Sequence, residues 1–246
     1  MNAKEKKKEQ KPRSEDSDVG TADLIRELGL AAPGTDFESD LQYISIIGSI
    51  EGHIALPMEN KTTKYEHLIP QLIAVEENPK LRGLLVILNT MGGDVEAGLA
   101  LAEMIATLSK PTVSLVLGGG HSIGIPLATA TDYSFIAGTA TMTLHPIRTT
   151  GLVITAETTF DYMRKTQDRV IDFIAGHSRA TRKRVTELMN CSDNMSNDVG
   201  TILFGKEAVD AGIIDAVGGV SQALGELRRR VAKVDELEKE ISISTD

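Results

Sequence analysis

The chain has 246 residues, enough for one large domain or a domain with extensions at roughly 100 to 200 residues per domain. Apolar residues make up 41% and aromatics only 4%, with no tryptophan, so the core has to be mostly aliphatic. A net charge of −9 and the lack of an aromatic stacking platform argue against nucleic acid as a partner, and the single cysteine, Cys191, rules out an internal disulfide or a cysteine-based zinc cluster.

A reducing, cytoplasmic setting follows from that cysteine count, and the charged N-terminus has no apolar stretch of the kind a signal peptide needs. Residues 1–36 mix both signs of charge with few large apolar side chains, which predicts a mobile arm. Alternation begins near Tyr43, and Tyr43–Gly48 reads as a strand. Leu68, Ile69, Leu72 and Ile73 then fall at helical spacing within Tyr65–Glu77. Gly83–Leu88 is a continuous apolar run closed by Asn89, the pattern of a parallel strand buried on both faces.

A helix over Asp94–Leu108, a strand over Thr112–Leu117 and a short helix near Ile123–Thr131 come next, followed by strands at Tyr133–Ile136 and Met142–Leu144. Pro111–Thr131 carries no formal charge and is long enough to span a bilayer. The glycines Gly118, Gly119 and Gly120 at its centre favour a buried strand, a turn and a helix instead. After Ala156 the pattern is helical to about Gly176, with a second helix over Thr181–Met189. An amphipathic stripe then runs through Leu224, Leu227, Val231, Val234, Leu237 and Ile241. Domain organisation is therefore read as an arm at 1–36, a domain at 37–221 and a helical tail at 222–246, with an α/β layered core.

Three segments at strand ends can carry chemistry. In Asn89–Asp94 the paired Gly92 and Gly93 let backbone amides approach a ligand, but the spacing fits no nucleotide-binding fingerprint. Asp94 suits a helix N-cap. Gly120-His121-Ser122-Ile123-Gly124 fits G-x-S-x-G, a turn that exposes a serine hydroxyl and turns the following amide, that of Ile123, toward the same oxygen. Its rival reading is a serine N-cap. His121 reads as a packing or surface histidine, because no second metal ligand sits at a usual spacing.

The third segment is Leu144-His145-Pro146, where proline biases His145 to extended geometry at the sheet's rim, within reach of a neighbouring serine as general base. Chain order separates two hydrolase architectures. A late histidine after the acid, as in α/β-hydrolases, leaves only His177, at the end of a helix. Ser122 followed by His145 and a still later acid points to a different fold.

Together, Asn89–Gly98, Gly118–Gly124, Leu144-His145-Pro146 and Glu207–Asp215 resemble the Clp protease proteolytic subunit family, ClpP, over about residues 41–220. The longer Ile54–Lys64 segment and the extended tail resemble its branch of translocation-enhancing proteins. The resemblance implies a ClpP/crotonase-like α/β fold, parallel-rich sheets covered by helices, with a protruding oligomerisation helix matched by residues 157–176. It implies a serine endopeptidase in which Ser122 attacks a peptide carbonyl, His145 takes its proton, and the amides of Gly93 and Ile123 form the oxyanion hole. Substrates would be peptides or unfolded proteins, bound as an added strand. The family further implies a homo-oligomeric ring and an ATP-dependent unfoldase as partner, with no cofactor, metal or membrane insertion.

This sequence departs from the family at Gly120 and His121, where alanines are usual, and at Pro146, which follows the histidine directly. Ungapped matching puts Gly200 in the place of the catalytic aspartate; Asp198, two residues away, is the third member with a shifted loop, and Asp193 a poorer choice. A ClpP-like scaffold or adaptor that has lost the acid is the alternative function. Acyl-CoA chemistry of the crotonase type is disfavoured, since it calls for a carboxylate acid/base in place of the Ser-His pair.

Overall fold

The computed structural model describes residues 39–148, 155–192 and 199–244. The expected arm at 1–36 and both candidate acids, Asp193 and Asp198, lie outside them. β1 (Leu41–Glu51), β2 (Thr62–Lys64), β3 (Gly83–Gly93), β4 (Thr112–Gly120), β5 (Tyr133–Ile136) and β8 (Ala216–Val217) form a sheet in the order β2-β1-β3-β4-β5-β8. Every neighbouring pair along it is parallel.

The apolar run of β3 explains the layering. Leu84, Val86 and Leu88 point to one face and join a core with helices α1 (Tyr65–Glu77), α2 (Val95–Ala106) and α3 (Gly124–Thr129). Leu85 points the other way, where it meets Val113 and Leu115 of β4 and the side chains of Ala223, Leu227 and Val231 on α7 (Val220–Ser244). Period-two alternation over Gly83–Leu88 thus feeds two cores, which is why no polar residue interrupts that run. The amphipathic stripe of α7 packs on the sheet over its first half, while Leu237 and Ile241 further along are 49% and 63% exposed.

A smaller layer builds the edge where the candidate site lies. β6 (Thr141–Leu144) meets β4 through Gly119↔Thr141 and runs antiparallel to β7 (Thr201–Phe204), with Leu144 opposite Thr201. α4 (Ala156–Gly176) buries residues only from Thr166 onward, and in its first turns Phe160 and Tyr162 are 68% and 61% exposed. α5 (Arg182–Met189) follows, N-capped by the Thr181 hydroxyl accepting from Arg184 N at 3.2 Å. After β7 comes α6 (Gly205–Asp210), where Glu207 accepts from Phe204 N at 3.0 Å. Asp215 locks this region to β5: its carboxylate accepts from Ser134 N at 2.9 Å and Ser134 Oγ at 2.8 Å, and its own amide donates back to Ser134 Oγ at 3.0 Å.

The main corrections to the sequence reading lie at glycines. β3 and β4 do not stop at Asn89 and Leu117 but continue to Gly93 and Gly120. Gly92 and Gly93 remain paired with Ser49 and Ile50 across the sheet at φ 91° and 154°, a backbone that a side chain would resist. β2, β7, α6 and β8 were not anticipated, since each is short and is defined by distant partners. Leu88, fully buried in the larger core, gives a direct test of the layering: Leu88→Ala should cost about 2–5 kcal/mol. A denaturant titration should show a lowered midpoint at unchanged slope.

Candidate active site

Ser122 sits between the end of β4 and the start of α3, and among the described residues it is the non-glycine residue with a left-handed backbone, at φ 55°. Such a conformation costs of order 1–3 kcal/mol and persists only where neighbours enforce it. Here four turn amides are committed: His121 N donates to Thr90 O (3.1 Å), Ser122 N to Thr143 O (2.9 Å), Gly124 N to His121 O (2.9 Å) and Ile125 N to Ser122 O (3.0 Å). Ile123 contributes the one amide of the turn absent from that set. The serine is therefore part of a sharp turn tied to β3 on one side and β6 on the other, and the N-cap alternative does not hold: the residue capping α3 is Ile123, without a side-chain bond.

Small residues let the turn close. A Cβ on Gly92 would stand 2.7 Å from Ser122 Cβ and 2.9 Å from His121 O, and one on Gly98 would stand 2.3 Å from Ile123 Cγ1. The tip of β3 is steadied by Thr90, whose hydroxyl donates to Gly48 O at 2.6 Å and accepts from Gly92 N at 3.1 Å. Asp94 N donates to Ile50 O at 2.9 Å, which fixes the end of β3 to β1 beside Gly93. Asp94 is the N-cap of α2, as its position suggested, accepting from Ala97 N at 2.8 Å.

His145 follows β6, so the Ser122–Thr143 backbone bond ties the serine turn to the strand that presents the histidine. Ser122, His145, Gly93 and Ile123 line one cavity of about 150 Å³ with an aliphatic wall of Val95, Ile125, Leu144, Ile147, Val170 and Met189 and with Arg148 exposed beside it. Ser122 and His145 share this cavity without a hydrogen bond between them; His145 Nδ1 is engaged instead by Pro146 O at 2.7 Å. Catalytic hydrogen bonds are often long before substrate binds. Gly200 packs against the back of His145: at φ 143°, a Cβ there would stand 2.3 Å from Leu144 O and 3.0 Å from His145 Cβ. Position 200 therefore accommodates no side chain, acidic or otherwise, on this backbone.

The other candidates fall elsewhere. His177 stacks on Phe173 with ring centroids 4.1 Å apart, bonds its carbonyl at 2.8 Å, and belongs to a separate groove with Glu96 and Arg169. Glu96 is held below the usual carboxylate range by the Arg169 guanidinium, which donates to both its oxygens at 2.6 and 3.0 Å and so pins α2 to α4. Among the described residues no cluster of three or more metal-ligating side chains occurs. Two contributors escaped the sequence reading. Thr143 supplies the carbonyl that anchors Ser122 and a hydroxyl 2.9 Å from His121 Nδ1, and Gln167 of α4 accepts from Ile147 N at 3.2 Å. Neither residue type carries a signal of such a role.

His121, which the sequence reads as a packing or surface histidine, is half-buried, and desolvation first and the neighbouring His145 second push its pKa below the ordinary 6.5. A histidine depressed in the folded state stays neutral there while the unfolded chain takes up a proton. Stability is thus complete above about pH 6.5 and falls as the pH drops toward the folded value. His121→Asn should flatten this acid-side loss between pH 7 and 5; parallel stability curves for the two proteins would contradict the assignment.

Comparison with known proteins agrees with this architecture. The profile of the family described as Clp protease matches residues 39–221. The translocation-enhancing protein TepA of Halalkalibacterium halodurans is 53% identical over 222 residues, covering 90% of this chain and 87% of that protein. With a parallel-rich sheet under helices, a serine turn between β4 and α3, and a histidine after β6, the chain belongs to the Clp protease family.

Proposed function

We propose that this protein is a ClpP-like serine endopeptidase in which Ser122 is the nucleophile, His145 the general base and the amides of Gly93 and Ile123 the oxyanion hole. The observation that carries this reading is the left-handed Ser122 at a turn that opens into the same cavity as His145. A hydroxyl on such a turn is approachable from the solvent side, and backbone donors that cost no reorganisation each contribute about 10²–10³ in rate. Attack of Oγ on the carbonyl carbon sends the proton to His145, which then protonates the leaving amine; water regenerates the serine by the same two steps in reverse.

The cavity also suggests a substrate preference. Its aliphatic wall desolvates whatever enters, which favours Leu or Met before the scissile bond and penalises a charged side chain. Peptides or unfolded segments would lie as an added strand beside the glycine tip of β3 and the segment after His145, main chain to main chain. Phe160 and Tyr162 on the first turns of α4 are the kind of aromatic surface that subunits of a homo-oligomeric ring bury, and an ATP-dependent unfoldase would deliver folded substrates. No helix among the described residues is long and apolar enough to cross a membrane.

The second reading is a catalytically weak or silent ClpP-like scaffold, favoured by Gly200 in the place of the family acid and by the unlinked Ser122 and His145. The two separate cleanly. A fluorophosphonate should label Ser122 of the folded assembly, as located by peptide mapping, and Ser122→Ala should abolish both labelling and peptide cleavage. A scaffold would stay unlabelled, and its Ser122→Ala variant would keep every binding phenotype. For the peptidase, kcat/KM for a peptide with Leu before the scissile bond should exceed that for Asp by about 10²-fold or more. Equal rates for the two would remove the aliphatic cavity from substrate recognition.

A further inference from the structure

We infer that the peptide unit between Pro146 and Ile147, held in place by Gln167, orients His145 in the role that an aspartate plays in a catalytic triad. The inference rests on the peptidase reading of Ser122 and His145, and it names the group that fixes the imidazole. A carbonyl oxygen can only accept, so the 2.7 Å contact between His145 Nδ1 and Pro146 O fixes the proton on Nδ1 and leaves the Nε2 lone pair as the base. That is the tautomer general-base catalysis by His145 needs. The same carbonyl continues to accept when His145 carries a second proton, so the ring need not turn between steps.

Two features keep that carbonyl aimed. Proline locks φ at 146, which leaves ψ as the one soft torsion setting the direction of its C=O. On the far side of the same planar trans unit, Ile147 N donates to Gln167 Oε1 at 3.2 Å. Carbonyl and N–H of a trans peptide point in opposite directions, so fixing one fixes the other. Gln167 lies on α4, one residue after Thr166, where that helix begins to be buried. Only its amide oxygen can accept an N–H, which settles its orientation. Gly200, meanwhile, backs His145 with a backbone that admits no side chain. Gln167 is thus a positioning residue, acting on His145 through one peptide plane. A neutral carbonyl offers a weaker partner to the imidazolium than a carboxylate does, so the expected enzyme is slow.

The test uses the full-length assembly, Gln167→Leu, Gln167→Glu, Asp198→Asn and Asp193→Asn, with two readouts. The first is the rate of Ser122 labelling by a fluorophosphonate; the second is the nitrogen-15 shift of the two His145 ring nitrogens, which reports the tautomer directly. Asp198→Asn and Asp193→Asn should label within about threefold of wild type and keep Nδ1 protonated, whereas loss of an orienting aspartate costs about 10⁴. Gln167→Leu should slow labelling by about 10²-fold and mix the tautomers, and Gln167→Glu, which keeps an acceptor oxygen, should restore both. A collapse in Asp198→Asn or Asp193→Asn, or an Nε2-protonated wild type, overturns the inference. If the wild type fails to label at all, the peptidase reading fails, and the nitrogen shifts alone still decide whether Pro146 and Gln167 set the tautomer.

Discussion

The close approach of β3 to the serine turn is the constraint on which the rest of the site depends. A missing Cβ at Gly92 lets the backbone of residues 121–123 come within contact distance of the strand tip, where even one methyl group would lie 2.7 Å from Ser122 Cβ. From that contact follows the placement of Gly93, on the strand side, and Ile123, on the turn side, along one cavity. The strain held at Ser122 is met by committed backbone hydrogen bonds to Thr90 and Thr143. Those bonds lead in turn to the two strands that flank the serine, so the turn is braced from both directions by the sheet itself.

Much of the fold can be read from the sequence because its central strands are buried on both faces and are mostly aliphatic, with Ser114 satisfied by donating to Ala128 O. Leu84–Leu88 and Val113–Val116 announce themselves, and the 3.6-residue spacing in Tyr65–Glu77 and Ala156–Gly176 reflects single buried stripes. Glycine misled the reading in a consistent way. Gly92, Gly93 and Gly118–Gly120 look like turns because glycine usually marks them, yet here they extend strands whose neighbours come too close for a side chain. β7 and β8 carry too few residues for any periodicity, and Thr201–Phe204 becomes a strand only because β6 pairs with it.

The site divides along a similar line. Ser122 and His145 were legible as side chains in distinctive contexts, a glycine-flanked serine and a histidine before proline. Asp198 stays a matter of sequence, outside the described residues. What holds the two residues is written in backbone atoms: the Thr143 carbonyl at Ser122, and the Pro146 carbonyl and the missing side chain of Gly200 at His145. Backbone carbonyls are present at every position, so no residue type betrays the one that matters. Asp215, part of the segment that carried the family resemblance, holds β8 to β5 through Ser134 rather than serving the site.

The pairing of β6 with β7 also bears on when the site can exist. β6 touches β4 through a single residue pair, whereas four pairs secure it to Thr201–Phe204, a segment made long after His145. Closing so long a loop waits until the second strand has been synthesised. During translation, then, Thr143, whose carbonyl holds Ser122, and His145 after it belong to a segment that still lacks its partner strand. Thr201–Phe204, distant in sequence from both residues, thereby helps to decide when Ser122 and His145 come to share a cavity.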